Sequence, residues 1–162
     1  MKKSNLFAAA SAALLLAAPV YAVTANSNAG AEIIAPLQIA NTAALYFGTI
    51  APSLTDADTV VVSTAGAKSC GANLTCLTDD HTAAAFAVTG EADQSYAITL
   101  PTSVSISNGT QTMLVDNFTG SKSSGTLVSG ADSFTVGGTL NVAANQAAGE
   151  YTGTFAVTVE YQ

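Results

Sequence analysis

An all-β domain, an immunoglobulin-like Greek-key β-sandwich, is the fold predicted by three features of the chain. Apolar residues recur at every second position in short runs, the period of a strand with one buried face. Gly, Pro, Asn and Ser clusters separate those runs at the intervals usual for sandwiches. Thr and Val are abundant while only 9% of residues are charged, a composition that favours pleated, half-buried surfaces over disorder. The remaining question for the sandwich is whether it is complete or needs a donor strand from elsewhere.

The elements follow in order. AEIIAPLQIA sets Ala31, Ile33, Ala35, Leu37 and Ile39 on one face, and Pro36, lacking an amide donor, marks an edge or a bulge. LYFGTI and DTVVVST lead to the cysteine pair of KSCGANLTC. AAAFAVTG carries Phe86 and Val88 and ends at Gly90, and SYAITLP carries Tyr96, Ile98 and Leu100 and ends at Pro101. VSIS and TMLVDNF flank Asn108-Gly109, a strong hairpin signal. A GSKSSG loop and a short TLV precede SFTVGGTLNVA, and AANQAAG has room for one helical turn at most. The last run, GEYTGTFAVTVEYQ, puts Tyr151, Gly153, Phe155, Val157, Val159 and Tyr161 on one face and Thr152, Thr154, Ala156, Thr158 and Glu160 on the other. An outer-membrane barrel is the structural rival, since eight strands would fit. Five Tyr, six Phe and no Trp supply little for the aromatic girdles such barrels carry.

The N-terminus reads as a secretory signal. Lys2 and Lys3 precede an apolar run from Leu6 to Ala18, and Val20-Tyr21-Ala22 offers small residues for cleavage after Ala22. The run is shorter than the roughly 20 residues that span a bilayer, and polar VTANSN follows it rather than a basic anchor. A retained anchor is the alternative. Residues 23–162 are then expected as a single domain with an N-terminal extension over about 23–40, without a membrane span.

Charge narrows the partners. The mature segment keeps Lys68 and Lys122 against eleven acidic residues, a net charge of −9, so the basic footprint that nucleic acid requires is absent. Chemistry is thinly supplied. His81 is the one histidine, within LTDDHT, and no nucleophile motif accompanies it. Asp79, Asp80 and His81 are adjacent loop residues with no further ligands at suitable spacing, and Asp56 and Asp58 read as a solvated turn. The expectation is a protein without catalysis, metal or cofactor. Cys70 and Cys76 have the spacing of a small disulfide-closed loop in an oxidising compartment. The spacing is wrong for a C-x-x-C redox motif, and a zinc pair lacks partners.

The last run also resembles the C-terminal strand of chaperone–usher pilus subunits, which alternates apolar residues and carries a penultimate aromatic and a glycine fourteenth from the end. Tyr161 and Gly149 occupy those positions here. Leu45 to Gly48 (LYFG) is similar to the L-x-F-G stretch of archaic and spore-coat-U-like subunits. Together with FAVTGEADQSYAITLP and VGGTLNVAANQAAGEYTGTFAVTVEY, it resembles a secreted bacterial family catalogued as domain of unknown function 4402.

The pilus resemblance implies an incomplete sandwich with an acceptor groove lined by Gly149, Tyr151, Phe155, Val157, Val159 and Tyr161. A periplasmic chaperone would fill that groove before the N-terminal strand of a neighbouring copy does so, with an outer-membrane usher as a further partner. Ala31, Ile33, Ala35, Leu37 and Ile39 are the donor candidate; the same residues serve equally as the domain's own first strand. The rival function is a self-contained secreted adhesin or binding domain that contacts its target through the loops around Asn117 to Gly130.

Overall fold

Pleated, half-buried runs need partners, and most of those predicted find them. The computed structural model describes residues 21–77 and 80–162, so the expected signal over 1–22 lies outside the described residues except for Tyr21 and Ala22, and Thr78 and Asp79 lie outside them as well. Two compact units divide at Glu32/Ile33. In the first, residues 21–32 form no strand and are exposed. The fold belongs to the second.

Its strands begin with β1 (Gln38–Ala43), β2 (Ile50–Ala51), β3 (Asp58–Val62) and β4 (Lys68–Cys70). There follow β5 (Thr75–Cys76), β6 (Ala84–Thr89), β7 (Ser95–Thr99) and β8 (Ser103–Ser107). The chain continues through β9 (Thr112–Gly120), β10 (Ser124–Thr126), β11 (Ala131–Val142) and β12 (Thr158–Tyr161). The all-β expectation is met: every named element is a strand, every pairing is antiparallel, and the curled sheets face each other as a sandwich. No helix among the described residues is long and apolar enough to cross a membrane.

β11, twelve residues long, is the hub of the larger sheet. Val136 pairs with both Ala84 of β6 and Gly120 of β9, and Thr139 with both Val61 of β3 and Asp116 of β9. β6 and β3 therefore share one side of β11, and β9 takes the other. β1 adds to β6, β4 to β3 and β8 to β9, while β10, β7 and β12 form a three-stranded sheet and β2 and β5 a two-stranded one. Pro36 stands just before β1, an edge strand with an irregularity between Asn41 and Ala43, as its missing donor requires.

Side chains between the sheets form two clusters. Phe47, Val60, Val62, Leu74, Val115, Leu140 and Val142 make one; Ala84, Phe86, Val88, Tyr96, Leu127, Phe134 and Val136 make the other. Leu45 and Phe118 touch both. A polar tie crosses the sheets as well. Tyr96 of β7 donates from its hydroxyl to Asp132 of β11 (2.9 Å), and Lys122 bonds both carboxylate oxygens of Asp132 at 2.8 and 2.9 Å.

Five details depart from the sequence reading. The run over 31–40 enters a strand only at Gln38. LYFG forms an isolated bridge at Tyr46, not a strand. The cysteine segment contains β4 and β5, which the sequence reading leaves as a loop, and the Cys70–Cys76 disulfide joins them. AANQAAG makes a turn at Ala144–Asn145 rather than a helical turn, and only Thr158–Tyr161 of the last run joins a ladder.

Candidate functional site

Strand parity shows what the last run leaves open. Gln162 N–H donates to Ser95 O (3.0 Å), and Glu160 and Thr158 oppose Ala97 and Thr99 of β7. Further back, Thr152 and Ser107 exchange both backbone bonds at 2.9 and 3.0 Å. Even-numbered residues thus turn their backbone groups toward β7 and β8, and odd-numbered ones turn theirs to the opposite edge. Between Gly153 and Val157 that edge meets no strand among the described residues.

A groove of about 1050 Å³ lies beside this edge. Its near wall is residues 146–155 and its far wall is 44–52. The far wall is tied on its outer side. Tyr46 and Thr82 exchange two 2.9 Å backbone bonds, and Ile50–Ala51 pairs with β5. Leu45 and Phe47 turn inward from it, Phe47 being only 7% exposed. Ile106 of β8 and Met113, Val115 and Phe118 of β9 line the floor. Phe118 reaches that floor because β9 shifts phase: Met113 and Val115 face in, Asn117 takes φ 48°, and Phe118 then faces in instead of Asn117.

The walls run in opposite senses. At one end Asn145 N–H donates to Ser53 O (2.7 Å). Beyond the other, the Tyr161 hydroxyl donates to Ala35 O (2.9 Å). A strand placed between them would have an unpaired edge on one side and an apolar floor beneath it.

Of the predicted acceptor residues, Gly149, Tyr151 and Phe155 line the groove. Tyr151 orders the rim, its hydroxyl donating to Ala147 O (2.8 Å) and accepting from the Gln146 amide (2.9 Å). Phe155 packs on Phe118 and Phe86, with ring centroids 4.8 and 6.2 Å apart. Val157, Val159 and Tyr161 lie beyond the groove, half-buried against the second core cluster. The donor candidates are also divided. Leu37 and Ile39 pack on that same cluster, with Ile39 opposite Val88 in β6, so they belong to the domain's own first strand and its approach. Ala31, Ile33 and Ala35 are exposed, Ile33 at 94%.

Sequence reasoning missed the far wall and the floor. The alternation in VSIS and TMLVD points Ile106, Met113 and Val115 inward, but nothing local shows that they lack a covering strand.

The titratable groups elsewhere serve structure. Backbone N–H groups of Asn73 and Thr59 hold the Asp58 carboxyl below its ordinary range, and these bonds brace the disulfide loop. Burial raises the Asp132 carboxyl, but bonds from Lys122, Ser133 and Tyr96 outweigh it and hold Asp132 low. Burial, reinforced by Asp132, pushes the Tyr96 hydroxyl well above its usual range. Asp56 accepts from the Thr55 hydroxyl (2.7 Å), Asp80 is exposed, and His81 is half-buried with a shielded, unpartnered Nδ1. Among the described residues no three His, Cys, Asp or Glu gather as metal ligands.

No curated protein and no solved structure matches the chain. A family model does match over residues 37–161, from the approach to β1 through β12. The chain belongs to the family described as Domain of unknown function (DUF4402).

Proposed function

We propose that this protein is a structural subunit of a bacterial surface fibre or coat, assembled by adding a strand of one copy to the groove of the next. The carrying observation is the open edge at Gly153–Val157 above an apolar floor. An inserted strand would pair the odd-numbered backbone groups, at about 1 kcal/mol net per hydrogen bond. It would also cover Phe155 and blunt an edge that otherwise invites aggregation.

Because Leu37 and Ile39 pack within their own domain, the donor is the preceding segment, 23–34, in which Ala29, Ala31 and Ile33 alternate. Burying one Ile33 side chain contributes about 2 kcal/mol. On this reading the chain is secreted with cleavage after Ala22, a periplasmic chaperone guards the groove, and an outer-membrane usher hands subunits on. The Cys70–Cys76 disulfide suits that oxidising route. No catalysis or cofactor is involved, so His81→Ala should leave assembly unchanged.

The rival, a self-contained secreted binding domain, is favoured by β1, which already covers the edge of β6 within the chain. Comparing residues 23–162 with 37–162 separates the two. A fibre subunit should give detergent-resistant multimers with the longer chain and monomers with the shorter, and a 23–36 peptide should raise the melting temperature of the shorter. A longer chain that is monomeric, beside a shorter one indifferent to the peptide, would leave the binding domain as the function.

A further inference from the structure

Ala35 stands at the root of the proposed donor, and both of its backbone groups are taken. Its N–H donates to Glu91 Oε2 (2.9 Å), and its carbonyl accepts from the Tyr161 hydroxyl (2.9 Å). The same hydroxyl accepts the backbone N–H of Glu91 (2.7 Å), so one tyrosine oxygen joins the last strand, the turn after β6 and the approach to β1. Gly90 lets the hydroxyl come this close: a Cβ there would collide with it.

We propose that Tyr161 and Glu91 form a latch that keeps the N-terminal segment out of its own groove and so directs it into a neighbour's. This rests on the strand-addition reading above. The direction of the walls supplies the reason. Residues 35–53 run from the Tyr161 end to the Asn145 end, and 149–161 run back. To fill its own groove, the segment must fold back at Ala35–Pro36 and lie parallel to 149–161. That reversal displaces the Ala35 backbone from the two groups that hold it. A neighbour's segment has no such tether and can lie antiparallel to 149–161, the slightly more stable pairing. With the latch closed, insertion within one chain loses to insertion between chains.

The test uses the chain from Val23 as wild type, Tyr161→Phe and Glu91→Ala, assembled at equal concentration and sized. Tyr161→Phe keeps the ring in the core and removes only the hydroxyl. The expected result is a rise in the monomer fraction by about fivefold, the shift one hydrogen bond makes in an equilibrium. Those monomers should fail to bind an added 23–36 peptide, because their grooves are filled from within. If Tyr161→Phe does not fold, Glu91→Ala decides alone. A multimeric wild type with unchanged variants overturns the latch and leaves the fibre reading standing, as do extra monomers that take up the peptide. A monomeric wild type overturns both.

Discussion

Phe134 and Phe155 present the same side chain on the two flanks of one sandwich, and both pack on Phe86. Phe134, in β11, stacks on that ring at 5.3 Å and is 3% exposed. Phe155 meets it edge-on at 6.2 Å and stays half-exposed. Their runs, SFTVGGTLNV and GEYTGTFAVTVEY, alternate about equally well. The difference lies in the neighbours. β11 is flanked by β6 and β3 on one side and β9 on the other, whereas residues 153–157 join no ladder among the described residues. Alternation says which face a strand buries; strands far away in sequence decide whether the burial is finished.

Substituting the pair separates the flanks most sharply. Phe134→Ala should cost about 4 kcal/mol, as for a buried aromatic, and Phe155→Ala about half that in the unassembled domain. Denaturant melts of the 37–162 chain measure both. Adding the 23–36 peptide should then increase the cost of Phe155→Ala and leave that of Phe134→Ala unchanged. Equal costs without peptide would mean the open flank is not open.

The closed flank has its own polar tie, and Tyr96→Phe breaks it for about 2 kcal/mol, since the hydroxyl donates to a charged group. The pH dependence follows in sign. Asp132 is held low, so its contribution is present above the unfolded value of about 4 and is lost as pH falls through its folded value. Tyr96 is held high, so its contribution is present below about pH 10 and is lost as pH rises through its folded value. Tyr96→Phe should therefore show a shallower alkaline fall in melting temperature than wild type.

On the open flank, the Cys70–Cys76 bridge braces β5, which pairs with β2 in the far wall. Replacing both cysteines by serine should lower stability by about 2 kcal/mol for a loop this short. It should also weaken peptide binding, which a staple remote from the groove would not do. The smallest effect is expected at Gly109, with φ 90° in the β8–β9 hairpin. Gly109→Ala should cost about 1 kcal/mol. The neighbouring Asn108 packs against Gly149, so the groove rim should loosen with it.

Much of the fold was legible in the sequence because β6, β7, β9 and β11 are long enough for period-two burial to show, and Asn108-Gly109 names its own hairpin. β2, β4 and β5 are two or three residues long, and their pairing is decided by partners rather than by propensity. The entry of Phe118 into the groove floor depends on a one-residue shift at Asn117, which strict alternation places on the wrong face. Half of the site was legible for the same reason. Tyr151 and Phe155 follow from their own run, but the far wall at 44–52 becomes a wall only once the chain has folded around the gap.

Amide exchange at Phe155 and Val157 tests strand insertion most directly, because parity turns their N–H groups toward the empty edge. In assembled 23–162 these two amides should exchange at least about a hundredfold more slowly than in monomeric 37–162. Rates that match in the two chains, whether both fast or both slow, would contradict strand insertion.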